Sequence, residues 1–206
     1  MRVLIACEFS GIVRDAFIAR GHDAVSCDLL PTERPGPHYH GDVRDILDDK
    51  WDACIAHPSC QYLTNAGSKW LYNGGLKENG KDEDRWNNLD KAAAFFRLFA
   101  TADHIPRRVI ENPIPNKYAL ALMGRKYDQI VQPWWFGHKE MKSTCLWFYG
   151  VKKLVATDIV GPPPKDKDER KSWQRVHRET PGADRWKNRS RTFSGIAKAL
   201  AEQVFA

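Results

Sequence analysis

The chain has 206 residues, a net charge of +6 at pH 7 and an isoelectric point near 9.1. This length fits one domain with a sizeable core, and no apolar run approaches the roughly twenty residues needed to span a bilayer. The basic balance modestly favours a polyanionic partner, and the lack of a spanning run predicts no membrane. Five irregularly spaced cysteines and an N-terminus without a signal-peptide pattern predict reduced thiols in a soluble, cytoplasmic protein.

The first half of the chain has the pattern of alternating strands and helices. The predicted elements here are strands over 3–7, 24–28 and 51–56 and helices over 11–20 and 43–47. A strand, a helix and a second strand in this order predict a right-handed crossover and hence a parallel sheet. Proline and glycine predict a loop over 31–37, and the Gly-, Asn- and Lys-rich stretch 70–82 predicts a mobile loop beside Cys60.

The second half contains the longest predicted helix. The predicted elements here are helices over 84–102, 119–123 and 196–205 and strands over 109–110, 129–132 and 142–149. The apolar stripe of the long helix is expected to be core. Residues 161–191 are expected to be a basic, proline-containing loop or tail within a single domain, 1–206. The fold class is predicted to be α/β, with a Rossmann-like, mostly parallel sheet and helices on both faces.

Two predicted strands end in residues with chemical potential. Cys60 follows the turn Pro58-Ser59, and Glu111 follows Val109 and Ile110. Because parallel strands end at one edge of a sheet, we expect the thiol and the carboxyl group to converge on one small ring. A thiolate that adds to C6 of cytosine, together with an acid that protonates N3, makes C5 able to attack an electrophilic methyl group. A helix beginning just after Cys60 would lower the pKa of the thiol.

At these residues the sequence resembles the DNA cytosine-5 methyltransferases, specifically a small phage-type member without a full target recognition domain. Residues 59–67 keep the register of the family's nucleophile motif, Pro-Cys-Gln-x-Phe-Ser-x-Ala-Gly. Glu111-Asn112-Pro113 resembles the Glu-Asn-Val motif, and Phe9-Ser10-Gly11 resembles the Phe-Ala-Gly cofactor loop. The C-terminal stretch 191–203 is similar to the family's closing segment.

The resemblance implies a fold of the class I methyltransferase type and S-adenosyl-L-methionine as cofactor. It implies Cys60 as nucleophile, Glu111 as acid and Asn112 as a further catalytic residue. By position, Asp28 resembles the acid that holds the cofactor ribose, and Asp42 resembles the adenine contact. The full set of implied cofactor residues is Glu8, Phe9, Ser10, Gly11, Asp28, Asp42 and Pro58.

The sequence also departs from the family pattern. Val13 and Arg14 stand where two glycines usually follow the cofactor loop, and Ser59 replaces the proline before the cysteine. Only the stretch 150–188 is available where the family has its recognition domain, so we expect a single-stranded or loosely specified duplex DNA substrate.

The late part of the chain mixes cations with tryptophans, the ingredients of a surface for single-stranded or flipped bases. The predicted nucleic-acid contacts are Gln61, Lys142, Arg185, Lys187, Arg189 and Arg191. A solvated, partly disordered linker is the alternative for this segment. His38, His40 and His57 lack the further ligands of a metal motif, so we expect exposed or hydrogen-bonded histidines and no metal.

Three functions remain open from the sequence. The first is transfer of a methyl group to C5 of cytosine in DNA through a covalent cysteine adduct. The second uses the same chemistry on a free cytosine nucleotide, or with a group other than methyl. The third is a catalytically inactive relative that binds nucleic acid.

Overall fold

The computed structural model describes residues 1–204 of the chain, so the predicted helix end at Phe205 lies outside the described residues. Seven strands form one sheet in the order β3-β2-β1-β4-β5-β7-β6. The strands are β1 (Arg2–Ala6), β2 (Asp23–Asp28), β3 (His38–His40), β4 (Ala53–Ala56), β5 (Arg107–Pro113), β6 (Gln129–Val131) and β7 (Thr144–Tyr149).

The first five strands pair in parallel, whereas β7 runs antiparallel to both β5 and β6. β1 and β4 lie at the centre, and their residues are almost all buried, as expected for strands covered on both faces. The predicted Rossmann-like, mostly parallel α/β sheet is confirmed.

Helices cover both faces of the sheet, as predicted. The helices are α1 (Ile12–Ile18), α2 (Glu83–Ala100), α3 (Lys117–Met123), α4 (Lys167–Ser172), α5 (Arg185–Ser190) and α6 (Ser194–Gln203). α1 and α6 contribute to a core with Val3, Ile5 and Phe17, and α2 and α3 contribute to a second core on the other face with Leu4 and Trp147. The expectation that the apolar stripe of α2 is core is confirmed.

Most predicted helix and strand boundaries shift by one to three residues. Two regions, residues 65–79 and 161–191, differ in kind from the prediction, because both contain short helices. The predicted first strand ends one residue early, because Cys7 takes a left-handed conformation with φ of 58°. Residues 65–79 contain three short 3-10 helices, Asn65–Leu71, Asn73–Gly75 and Lys77–Asn79, in place of a plain loop. Within residues 1–204, no helix is long and apolar enough to cross a membrane.

The segment 161–191 is partly docked on the domain, and α4 and α5 lie within it. Trp173 is buried, and its carbonyl accepts a hydrogen bond from the Met141 amide at 2.6 Å. The guanidinium of Arg175 contacts the buried carboxylate of Glu140 at 3.0 Å. These contacts attach the middle of the segment to the residues before β7, so a free linker does not describe it.

Candidate active site

The carboxyl ends of β4 and β5 bring the predicted catalytic residues into one region. Ala56 is in register with Ile110, so the residues that follow them, His57 and Glu111, lie side by side. His57 Nδ1 is 3.2 Å from Glu111 Oε2. Cys60 lies three residues further along, in a tight turn in which the Leu63 amide donates to the Cys60 carbonyl at 3.1 Å.

The charge of Glu111 acts on the Cys60 thiol. Burial raises the pKa of the Cys60 thiol, and the negative charge of Glu111 raises it further. Burial also opposes ionisation of Glu111, but the hydrogen bond with His57 and the charge of Lys142 outweigh it, so the pKa of Glu111 lies below its ordinary value. The resting pair is therefore a thiol and a carboxylate.

The expectation of a helix that lowers the pKa of Cys60 is wrong. The next helical turn begins at Asn65, after the turn that contains Leu63, so no helix N-terminus meets the sulfur. The pKa of the half-buried thiol is instead raised, by burial first and by the charge of Glu111 second, and these two effects outweigh the opposing charges nearby.

Asn112 holds the nucleophile turn in place. Its side chain is fully buried, and its Nδ2 donates to the carbonyl of Pro58 at 2.8 Å. Pro58 is itself buried, two residues before Cys60. Sequence reasoning placed Asn112 with the catalytic residues and Pro58 with the cofactor, but these contacts give both residues a positioning role.

Two of the predicted nucleic-acid residues adjoin the catalytic pair. The antiparallel pairing of β7 with β5 places Lys142, just before β7, beside the end of β5. Its charge lowers the pKa of both Glu111 and Cys60, while its Nζ donates to the Arg189 carbonyl at 3.0 Å. The charge of Arg189 also lowers the pKa of Cys60. The pair therefore faces two cations.

A narrow cleft of about 10 Å³ adjoins Glu111. His57, Lys142 and Thr144 line it with Glu111, and the closing segment contributes Phe193. This volume holds about one water molecule. On this side, Glu111 is thus nearly enclosed by the residues that precede and begin α6.

The predicted cofactor loop is a tight turn after β1. Gly11 caps α1 in a left-handed conformation, with φ of 73°, that favours glycine. Glu8 is buried, and its Oε1 accepts from the Ser10 hydroxyl and from the Ile12 amide. Its Oε2 is buried and has no hydrogen-bond partner within residues 1–204. An unpaired carboxylate oxygen here suits an ammonium group such as that of the methionine part of the implied cofactor.

The two acids assigned to the cofactor have different surroundings. Asp28 is half-buried at the end of β2, and burial raises its pKa despite a hydrogen bond from the Leu30 amide at 2.9 Å. Asp42 caps the 3-10 helix Val43–Asp45, and both of its oxygens contact Arg44 at 2.9 Å. Asp28 is thus held by backbone amides, whereas Asp42 is engaged by Arg44.

The helix α5 lies over the cofactor turn. The rings of Trp186 and Phe9 are 6.2 Å apart. Arg191, which follows α5, forms two hydrogen bonds with Glu33, at 2.6 and 2.8 Å. α5 and the residue that follows it therefore contact the predicted cofactor loop and the loop after β2.

The other predicted nucleic-acid cations are not grouped around the pair. Arg185 donates to the carbonyl of Glu179 at 2.8 Å, and Lys187 lies 3.9 Å from Asp184. Arg191 is neutralised by Glu33 as described. Gln61 is exposed next to the nucleophile. Of the tail cations named from the sequence, Arg189 is the one that acts on Cys60.

The histidines are hydrogen-bonded, as expected. His38 contacts the Ser26 hydroxyl at 2.9 Å and the Leu30 carbonyl at 3.0 Å, and His40 contacts the Leu29 carbonyl. Within residues 1–204, no group of three or more His, Cys, Asp or Glu side chains is arranged to hold a metal ion.

Sequence reasoning missed His57 as a partner of Glu111. His57 was considered only as a metal ligand, although both residues directly follow strand-like apolar runs. The two apolar runs were a partial signal, because the contact also requires these strands to be neighbours in this register, which the fold decides. Arg14 was treated only as a missing glycine, yet its side chain is fully buried and hydrogen-bonded.

Comparison with known proteins adds no assignment. No protein-family model matches the chain, and no curated protein matches it.

Proposed function

We propose that the protein transfers a methyl group from S-adenosyl-L-methionine to C5 of cytosine in DNA. The observation that carries the proposal is the convergence of Cys60 and Glu111 beyond the aligned ends of β4 and β5, close enough for the charge of Glu111 to raise the pKa of the thiol. A thiol and a carboxyl group that meet at one sheet edge are the two groups that addition to a cytosine ring requires.

The proton count of the pair fits this chemistry. The resting pair holds one proton, on the sulfur, and the carboxylate is ionised. For attack, this proton must move from the sulfur to Glu111. The thiolate can then form a bond to C6 while N3 takes the proton from Glu111. When the C5 proton has been lost to a base and the C–S bond breaks, N3 returns its proton. Lys142 stabilises the anionic form of either group.

The residues of the first turn fit the implied cofactor, which supplies an electrophilic methyl group when bound. Glu8 Oε2 offers an unpaired acceptor, and Asp28 offers a carboxylate at the end of β2. Gly11 keeps the turn free of a side chain. Asp42 needs to exchange its contacts with Arg44 before it can hold an adenine.

A catalytically inactive nucleic-acid-binding protein is the second candidate. The specific observations in its favour are the raised pKa of the Cys60 thiol and the narrowness of the cleft beside Glu111. In that case substitution of Cys60 leaves the function unchanged, and the cationic surface alone accounts for it.

The test is incubation with labelled S-adenosyl-L-methionine and, in separate reactions, single-stranded DNA, duplex DNA and dCMP. Mass spectrometry of the nucleosides then identifies both the modified base and the group transferred. We expect 5-methylcytosine with the wild-type chain and none with Cys60→Ser. Ser59→Ala is the matched control, because Ser59 is exposed beside the nucleophile and should keep activity.

Release of tritium from C5-labelled cytosine without cofactor measures attack at C6 by itself. If tritium release depends on Cys60 but the modified cytosine carries a group whose mass is not that of methyl, the covalent attack at C6 is supported. The donor is then a compound other than S-adenosyl-L-methionine. Absence of both tritium release and modified cytosine would reject the proposal in favour of the inactive protein.

A further inference from the structure

A second cleft lies beside the nucleophile turn, away from the Glu111 cleft. It has a volume of about 410 Å³ and lies between the 3-10 helices of residues 65–79 and the start of α3. This volume falls in the range of ligand sites in proteins. Three lysines line it, and none of its lining residues is acidic. The lysines are Lys69, Lys77 and Lys117.

The three ammonium groups of this lysine cleft are free to meet an anion. Within residues 1–204, none of them forms an ion pair with a carboxylate, although other lysines of the chain do. Each instead lies over an aromatic ring: Lys69 is 4.5 Å from Trp70, Lys77 is 5.8 Å from Tyr72 and Lys117 is 5.0 Å from Tyr118. The nearby Glu78 does not line the cleft.

The cleft wall also carries hydroxyl groups in a positive field. The hydroxyls of Tyr72 and Tyr118 are 2.7 Å apart. The hydrogen bond with Tyr72 lowers the pKa of Tyr118, and the charges of Lys117 and Lys77 lower it further. Trp70 exposes 44% of its surface beside these cations. Cations next to an exposed flat ring are suited to a phosphate backbone with unstacked bases.

The lysine cleft is structurally joined to the nucleophile turn. Asn116, in the cleft wall, donates from its Nδ2 to the carbonyl of Leu63 at 3.1 Å, and its backbone amide donates to the same carbonyl at 2.7 Å. Asn65, another lining residue, is five positions after Cys60. The cleft is therefore built on the residues that directly follow the nucleophile turn and is tied to that turn through Leu63.

We infer that the lysine cleft binds the phosphodiester backbone of a single-stranded nucleic acid that flanks the base at Cys60. The inference rests on the proposed function for the role of Cys60. It extends that function by naming a single-stranded polynucleotide, and not a free nucleotide, as the substrate. A nucleoside monophosphate such as dCMP has one phosphate group and cannot occupy three separate cationic positions at once.

The test measures binding, so it does not depend on catalysis. The probe is a labelled oligodeoxycytidylate of twelve nucleotides, titrated by fluorescence anisotropy at several salt concentrations, with dCMP as competitor. The test variant is the triple substitution Lys69→Gln, Lys77→Gln and Lys117→Gln. The control is Lys50→Gln, Lys152→Gln and Lys153→Gln, which makes the same change in net charge on exposed residues at the opposite end of the sheet.

For single strands, each neutralised phosphate contributes about 0.7 to the slope of log affinity against log salt. Loss of three contacts should reduce the slope by about 2, which is roughly a 100-fold weaker affinity at 0.1 M salt. The control triple variant should retain most of the binding, and a triple Lys→Arg variant of the cleft should restore it. Wild-type protein should bind the oligonucleotide far more tightly than dCMP.

Equal losses in the cleft and control variants would overturn the inference, because the effect would then be general charge. Equal affinity for dCMP and the oligonucleotide would also overturn it. The two proposals fail separately: cleft-dependent binding without cytosine modification rejects only the methyltransferase, and cytosine modification with unchanged binding by the cleft variant rejects only the lysine cleft.

Discussion

At the scale of single residues, the protonation state of Cys60 determines when the candidate site can react. Its thiol is buried enough to resist ionisation and is next to a carboxylate, while Lys142 and Arg189 act in the opposite direction. The balance leaves a neutral sulfur at neutral pH. A bound substrate that offsets the negative charge of Glu111 would remove one of the two effects that raise the pKa of Cys60.

Alkylation of Cys60 by iodoacetamide should therefore increase with pH to a midpoint above the ordinary thiol value of about 8.5. Glu111→Gln should lower this midpoint, because the carboxylate raises the pKa of Cys60, and Lys142→Ala should raise it. Peptide mass spectrometry over a pH series measures the rate at Cys60 itself. Glu78→Gln is the control, and a Glu111→Gln profile identical to its profile would contradict the prediction.

His57 has a residue-scale role that can be separated from packing. It holds the buried carboxylate of Glu111 through Nδ1, so His57→Ala should raise the pKa of Glu111 and lower the free energy of unfolding by about 1–3 kcal/mol. His57→Asn places an amide donor near the Nδ1 position and should recover much of both effects. Carbon-13 NMR titration of labelled glutamate and urea denaturation measure them. A Glu111 titration unchanged in His57→Ala would refute the role.

At the scale of elements, Arg14 connects α1 with the loop that follows β2. Its guanidinium donates to the Ser26 and Thr32 hydroxyls and to the carbonyls of Arg34 and Pro35. A Cβ atom at Gly36 would lie 2.7 Å from this guanidinium, so the loop is fitted closely around it. Arg14 therefore shapes the region between the cofactor turn and Asp28.

Arg14→Ala should cost about 2–4 kcal/mol of unfolding free energy, because several buried hydrogen bonds to a charged group are lost together. Arg14→Lys should recover only part of it, since an ammonium cannot reproduce the planar fork that serves these four acceptors and the Asp15 carboxylate. Urea denaturation measures both, and Arg34→Ala, at an exposed neighbour, is the control. Full stability of Arg14→Lys would show that charge, not geometry, is what the loop needs.

The elements show what could be predicted from sequence and why. Buried strands such as β4 and the long helix α2 were predicted because apolar runs and helical spacing are local signals. The role of Arg14 was not, because a charged residue in an amphipathic helix is ordinarily exposed and only the returning loop makes it internal. The His57 contact depended on strand register, which single-sequence patterns do not specify.

At the scale of the whole molecule, the two ends of the chain meet over the cofactor turn. Arg191 and Glu33 are 158 residues apart in sequence and form a two-pronged ion pair, while Trp186 of α5 contacts Phe9. The sequence indicated a basic tail but not its acidic partner, since no local pattern links positions so distant. As a result, Arg191 acts as an internal tie between the tail and the loop that follows β2.

Loss of this tie should loosen α5 without unfolding the domain. A half-exposed ion pair contributes about 0.5–1 kcal/mol, so Arg191→Ala or Glu33→Ala should speed hydrogen exchange of α5 amides roughly two- to five-fold. The double variant should add little to either single change, because one shared contact is removed. Arg178→Ala, at an exposed residue of the same segment, is the control.

The same contact predicts a pH dependence. Arg191 lowers the pKa of Glu33, so the stabilisation is complete above the unfolded-chain value of about 4.3 and disappears as the pH falls through the lower folded value. Hydrogen exchange of α5, corrected for its intrinsic pH dependence, should therefore accelerate in wild-type protein below about pH 4, whereas Glu33→Ala should show no such step. Additive effects in the double variant, or the same acid step in Glu33→Ala, would mean that other contacts hold α5 over the cofactor turn.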